Sequence, residues 1–463
     1  MRRAVWTALL LSVTRCEAAF VPPPPPATPV ASVALDPGLT MLVPGDSVRL
    51  QATLRDATGQ LVTDRLPAFS SSNTGVATVS SVGVVRAVAL GIAQVVAAAS
   101  GHADTSEIQV ASYPLTDVSA GGNHTCAATA PGGAVCWGYN RYGQTGIGTT
   151  GDAVMLPAPV VRLVNAVPVS GGNHTCAMEG GTVRCWGWNL SGQLGTGFPG
   201  NSAEPAVALS DSVLTAVTTG GQHTCALTDS GVAFCWGLNA DGQVGDSSFV
   251  NQLRSVLVRG GLHFAVLSAG ARHTCAITTD SLAYCWGANE FGQLGDGTTT
   301  RSGVPVAVSG GHRFFTISAG RFHSCAIEPG GTALCWGYNG RHQLGSTTPD
   351  SAASAPVAVA GGHPFITIAA GGLHSCALAT AGTVYCWGYN AFGQVGDSST
   401  DDRAAPTAVG TALRFVTLHT FGDHTCGMTT GSHAYCWGLG LTGELGTGRF
   451  ASSPYPVRVP GQP

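Results

Sequence analysis

Lysine is missing from all 463 residues, so the 21 basic side chains are all arginine. Its absence excludes lysine Schiff-base chemistry and a lysine-bearing phosphate loop. Neither a His-Glu-x-x-His pattern nor a Gly-x-Ser-x-Gly elbow occurs, and Asp and Glu are scattered singly, often in turns such as Asp241-Gly242 and Asp296-Gly297. Charged residues make up only 10% of the chain, and the formal net charge of −4 becomes −6 without the first 19 residues, which hold Arg2, Arg3, Arg15 and Glu17. A negative chain is a poor match for nucleic acid, whose phosphates call for a basic face. With 65 glycines and 26 prolines there is little room for helix, and the apolar run from Ala4 to Val13 is too short to span a bilayer.

That run, with Arg2 and Arg3 before it and the small residues Ala18 and Ala19 after it, reads as an export signal over residues 1–19. Val13-Thr14-Arg15-Cys16 resembles a lipoprotein signal box, with Arg15 where a small residue is expected. Lipidation of Cys16 and simple cleavage near Ala18 or Ala19 are the rival outcomes. Both place the protein outside the cytoplasm, secreted or at the cell surface, with an N-terminal lipid as its one membrane attachment. Residues 20–30 form a linker in which the prolines from Pro22 to Pro26 favour an extended polyproline II spacer.

From 31 to 111 the pattern turns to short alternating runs such as Ser32-Val33-Ala34-Leu35, separated by turn signals such as Pro44-Gly45-Asp46, which predicts a small antiparallel sandwich. The stretch Phe69-Ser70-Ser71-Ser72-Asn73, then Val76-Ala77-Thr78-Val79, then Gly83-Val84-Val85-Arg86-Ala87 resembles the group 2 bacterial immunoglobulin-like domain, which usually has Trp where Phe69 stands. The resemblance implies a spacer or adhesion module without catalysis. No cysteine lies within it, so its stability must come from its core.

The rest of the chain, 113–460, repeats one phrase seven times at a period of 49 to 51 residues: His-Thr/Ser-Cys, a short gap, then Cys-Trp-Gly. A fixed period of that size signals a solenoid or propeller. Each unit holds four short apolar runs bounded by Gly, Asn or Pro, which predicts a four-stranded blade. The first copy starts directly at Asp117-Val118-Ser119, while the chain ends on Pro454-Tyr455-Pro456-Val457-Arg458-Val459, so we expect the C-terminal strand to complete the first blade and hide both sheet edges.

Fourteen of the 15 cysteines fall in the repeats as pairs: Cys126 with Cys136, Cys176 with Cys185, Cys225 with Cys235, Cys275 with Cys285, Cys325 with Cys335, Cys376 with Cys386 and Cys426 with Cys436. A hairpin puts each pair directly cross-strand, with a two-residue loop at Gly180-Gly181 and a three-residue loop from Thr279 to Ser281. Opposed Cβ atoms lie about 4.5–5.5 Å apart, and behind an export signal this points to seven disulfides worth roughly 2–3 kcal/mol each at most. Metal binding by His-x-Cys plus Cys is the alternative, but the close Cys-x-x-Cys knuckle of zinc sites is absent. The seven repeat histidines, from His124 to His424, are expected to be structural, with rings bonded to backbone, and the seven tryptophans to pack between blades.

The phrase His-Thr/Ser-Cys-Ala with Cys-Trp-Gly-x-Asn-x-x-Gly-Gln-Leu/Val-Gly resembles the regulator-of-chromosome-condensation repeat family. The resemblance implies a seven-bladed β-propeller, so the fold class is all-β: a seven-bladed β-propeller with a small N-terminal immunoglobulin-like β-sandwich. Departures include Thr145 for Leu, His342 for Gly, and Gly440 and Glu444 for Asn and Gln. The family's best-known member is a chromatin-bound exchange factor for a small Ras-like GTPase, a role that the export signal and acidic charge oppose. Some secreted members resemble enzyme inhibitors.

Residues common to every repeat build the scaffold, so function belongs where repeats differ. The candidate binding loops carry Tyr139, Arg141 and Tyr142, then Trp188, Phe291, Tyr338, Arg341 and His342, then Tyr389 and Phe392. These suit either ordinary edge packing or one ring-shaped patch for a protein or glycan. We assign no catalytic residue, cofactor or metal, and expect an extracellular or cell-surface binding scaffold. The rival class is an extracellular polysaccharide hydrolase or lyase, which would show carboxylates or histidines unique to one or two adjacent blades.

Overall fold

The computed structural model describes residues 28–210, 212–346 and 351–463, none of them helical. The expected export signal, Cys16 and the run Pro22–Pro26 lie outside the described residues. Nine short strands come first. Strands Gly91–Ala99 and His102–Val110 pair along their whole length, and Ala93, Val95, Ala97, Ile108 and Val110 alternate inward onto Leu35, Leu50 and Val85. Phe69 packs half-buried against this core. The sandwich is not purely antiparallel as expected: Leu39–Leu42 runs parallel to His102–Val110, because the chain crosses from one sheet to the other before reaching that edge.

Seven four-stranded antiparallel sheets follow, each made from consecutive strands. In blade 1 these are Leu115–Ala120, His124–Thr129, Gly133–Gly138 and Val154–Pro159; in blade 7 they are His419–Thr420, His424–Met428, Ala434–Gly438 and Ser453–Arg458. First strands of neighbouring blades touch one another, which makes them the innermost strands of a ring. The expected strand exchange is therefore incorrect. Blade 1 owns its fourth strand, with Cys136 opposite Ala158, and the C-terminal strand pairs inside blade 7, with Cys436 opposite Val457. In every unit a fourth strand follows Cys-Trp-Gly, carrying Pro-x-x-Val in blades 1, 4, 5, 6 and 7, so no blade is left short. Face packing closes the ring instead: Trp137 and Val118 of blade 1 share one core with Met428, Ala434, Leu445 and Val459 of blade 7.

The cysteine pairs oppose each other in the hairpin of strands two and three, and all seven form disulfides with Cα atoms 4.0–4.1 Å apart. The Gly180-Gly181 and Thr279–Ser281 loops are as expected. Each disulfide sits against the indole of the next blade, and every repeat tryptophan is fully buried. An indole buries on the order of 200 Å², a gross transfer of about 5 kcal/mol per blade junction. Space beside it is limited. A Cβ at Gly146 would lie 2.6 Å from Trp186 Nε1, and the equivalent glycines meet the next tryptophan in the same way.

The histidine rings are structural, but their partner is not backbone. His124 Nε2 lies 2.7 Å from the hydroxyl of Thr175 in blade 2, and the pattern continues blade by blade until His424 reaches Thr125 of blade 1 at 2.8 Å. Thr175 Oγ1–H donates to the backbone carbonyl of Gln144 in blade 1, which also accepts Trp186 Nε1–H. Since that hydroxyl proton is spent on the carbonyl, His124 must donate from Nε2–H, which settles the tautomer. Blade 5 uses Ser324 and blade 6 Ser375 in place of threonine. A second ring joins the loops between strands one and two: Gly122 N–H donates to Gly171 O, and the series ends with Gly422 N–H on Gly121 O.

Removing one hydroxyl of this clasp should cost about 1–3 kcal/mol, because it strands a buried His Nε2–H. We expect Thr175→Val to lower unfolding stability by that amount in urea titration, and Thr175→Ser to be nearly neutral, as serine serves in blades 5 and 6. Equal stability of both variants would show that the clasp carries no net weight.

Candidate binding face of the propeller

The second strand runs away from the inner loop and the third returns to it, so the inner loops and the loops after Cys-Trp-Gly share one end of the ring. Tyr139 N–H on Asn123 O and Trp188 N–H on Asn173 O, both 2.9 Å, tie the two loop sets together. Within each long loop the repeat asparagine and glutamine act as staples. Asn189 Oδ1 accepts from Leu194 N–H while Gln193 Oε1 accepts from Ser191 N–H. The residues between these staples are free to vary.

Nine of the ten residues expected to bind lie on this face in or beside aromatic contacts that bridge adjacent blades. Tyr142 packs edge-on against Tyr139 at 6.0 Å and stacks on Trp188 of blade 2 at 5.7 Å. Phe291 of blade 4 meets Tyr338 of blade 5 at 4.9 Å. Arg341 of blade 5 lies over the Tyr389 ring of blade 6 at 5.2 Å, beside Phe392, and pairs with Asp402 at 3.5 Å. Arg141 is exposed on the loop crest next to Tyr142. His342 stands apart from these clusters; it occupies a glycine position at φ 62° and is exposed.

Sequence reasoning missed Phe322, which packs on Phe291 at 5.5 Å, and a charged group in which Arg272 pairs with Asp241 at 2.6 Å and Glu290 at 3.6 Å. The missed signal is a correspondence between repeats. The residue before the histidine meets the residue two before the glutamine in the preceding blade: Gln222 with Ser191, Arg272 with Asp241, Phe322 with Phe291. At these three junctions the pair differs in chemistry: amide with hydroxyl, guanidinium with carboxylate, ring with ring.

Blade 7 departs most. Where the other blades have an inner-loop glycine it has Phe421, at a site where a Cβ on Gly121 would lie 2.6 Å from the next blade's carbonyl. Its first strand shrinks to His419–Thr420, and the backbone ring shifts to Gly422. His419 lies 3.6 Å from Asp117 of blade 1. Burial pushes the Asp117 carboxyl up, yet the hydrogen bond and charge of His419 outweigh it and hold it below the usual range. Burial raises Asp423, partly offset by the Arg321 charge. Glu444, fully buried, is raised by burial, and its two oxygens accept Thr442 N–H and Oγ1–H. These groups sit on three separate elements, each engaged by its own neighbours, rather than converging on one point.

Seven blades clasped by one repeated set of His, hydroxyl, carbonyl and indole define a closed seven-bladed β-propeller. The chain belongs to the RCC1-like family: residues 170–463 match the RCC1-like domain, residues 115–144 the Regulator of chromosome condensation (RCC1) repeat, and residues 29–109 the Bacterial Ig-like domain (group 2). The fold is similar to that of human WBSCR16, at a TM-score of 0.64 and 20% identity over 71% of this chain and 94% of that one. It is equally similar to yeast RCC1 (Prp20) solved with Kap60, at a TM-score of 0.64 and 21% identity over 75% of this chain and 85% of that one. Prp20p from Saccharomyces cerevisiae, studied for its binding to Gsp1p and histones, gives 0.64 and 21% over 75% and 87%. No curated protein sequence matches the chain.

Two titration outcomes follow from these environments. Burial, helped at several blades by neighbouring histidines, lowers His124, His174, His223, His273, His323 and His374 to about 3 and His424 to about 4. The unfolded chain takes up these protons near pH 6.5, so stability is full above that pH and falls as pH drops toward 3, by up to about 1.4 kcal/mol per histidine per pH unit. Thermal unfolding from pH 8 to 4 should show a steep loss below pH 6.5; a flat profile would contradict the buried neutral ring. For Glu444 the sign reverses, since a raised carboxyl favours the fold only when protonated. Glu444→Gln should raise the melting temperature at pH 8, with the gain shrinking toward pH 4.

Proposed function

We propose that the protein is an exported, non-catalytic scaffold that holds a protein partner on the propeller face bearing the long loops. The observation that carries this reading is the placement of the variable aromatics and arginines on one face of a rigid ring, bridging blades 1–2, 4–5 and 5–6. A preformed surface loses little entropy on association, and aromatic and arginine side chains dominate binding hot spots. Seven disulfides favour an oxidising, extracytoplasmic setting, and no described helix is long and apolar enough to cross a membrane.

A protein partner is favoured over a glycan because the rings face one another. Tyr142 is stacked on Trp188 and Tyr389 lies under Arg341, so those ring faces are not open as sugar platforms. The yeast relative's studied partners, Gsp1p and histones, are proteins, which supports the same class without naming the partner here.

The test compares capture from the extracellular fraction by the wild-type protein, by Leu190→Asp with Arg341→Glu on the loop face, and by Phe315→Asp at the start of an inner strand, on the opposite face. We expect a protein retained by wild type and Phe315→Asp and lost with the loop-face variant. Retention indifferent to face, or recovery of polysaccharide alone, would overturn the reading.

A further inference from the structure

We propose that the loop crest of blades 7, 1 and 2 docks an extended protein segment in which one carboxylate is flanked by apolar side chains; the proposal rests on the binding role of this face. The crest is the position after the repeat asparagine, where Leu441, Arg141 and Leu190 succeed one another around the ring. Leu441 is 56% and Leu190 65% exposed, whereas the other blades carry Ala240, Glu290, Gly340 and Ala391 there. An exposed aliphatic, arginine, aliphatic sequence therefore occurs on one arc of the ring.

The charge of Arg141 singles out the partner's chemistry. Arg272, Arg301 and Arg341 on the same face are paired with Asp241, Glu290 and Asp402, at distances from 2.6 to 3.9 Å. Among the described residues Arg141 has neither an ion pair nor a hydrogen bond. It stands beside the Tyr142–Trp188 stack, which fixes the loop from below. The chain's net charge of −4 does not oppose an acidic partner at this spot, because charges beyond about 8 Å are screened at physiological salt and the local cation dominates. A guanidinium flanked by two exposed leucines fits a carboxylate between apolar side chains. Aliphatic crests and covered ring faces give a sugar nothing to stack on.

A random dodecamer peptide library displayed against the intact, oxidised protein tests this. We expect enriched peptides to carry Asp or Glu between apolar residues, to bind about ten-fold more weakly to Arg141→Glu, a loss of about 1.4 kcal/mol, and to bind Phe315→Asp, on the opposite face, unchanged. Selection on Arg141→Glu should instead enrich Lys or Arg at the central position. Enriched peptides without an acidic residue, or indifferent to Arg141→Glu, would overturn the proposal. Enrichment that depends on Arg341 but not Arg141 would sink the crest site while leaving the binding face intact. No enrichment on the wild-type protein would likewise sink the crest site, and the capture experiment decides the binding face separately.

Discussion

The structure depends on a hydrogen-bond relay that crosses every blade junction: His Nε2–H to a Thr or Ser hydroxyl, that hydroxyl to a Gln or Glu backbone carbonyl, and an indole N–H to the same carbonyl. In a dry interior each of these groups would cost about 1–3 kcal/mol if left unpaired, and each is supplied by a different blade from its partner. A blade alone therefore leaves a stranded imidazole and a stranded carbonyl. Only the closed ring satisfies all seven. The receiving group is a backbone carbonyl, which explains how Glu444 replaces glutamine in blade 7 without breaking the relay: its carbonyl still accepts from Thr125 and Trp137.

This division of labour separates scaffold from surface. Cysteine, histidine, tryptophan and the hydroxyl are enclosed inside the ring, with exposures at or near zero, so none of them faces the surface where a ligand would dock. The loop staples Asn and Gln hold the backbone through their own side chains, so the residues between them change at little structural cost. Those positions became the aromatic bridges of blades 1–2, 4–5 and 5–6 and the charged junction of blades 3–4, where Arg272 meets Asp241. A face built this way is rigid and differs at every blade.

Much of this was legible along the chain. The period, the cross-strand cysteines and the turn glycines are local or hairpin-range features, and hairpin register follows from loop length alone, as the Gly180-Gly181 turn shows. Nine of the ten expected loop residues sit together on one face for the same reason: equal positions in equal repeats land at equal heights. What failed was inter-blade. The histidine's partner lies about fifty residues away, and nothing in the His-Thr-Cys triplet says that the ring nitrogen points across to the next blade's copy of the same triplet. Strand exchange was wrongly expected because the first unit was cut one strand too early, and Phe322 was overlooked because its contact, Phe291, belongs to another unit.

The sequence by itself determined the number of blades, through the count of repeats, and the strands within them, the disulfide pairing and the set of positions free to vary, since these are encoded within one fifty-residue unit. Tertiary structure alone decided how the ring closes, which tautomer its histidines hold, and which variable residues touch. Those outcomes depend on side chains from different units meeting in a buried, low-dielectric seam, where geometry decides which groups pair.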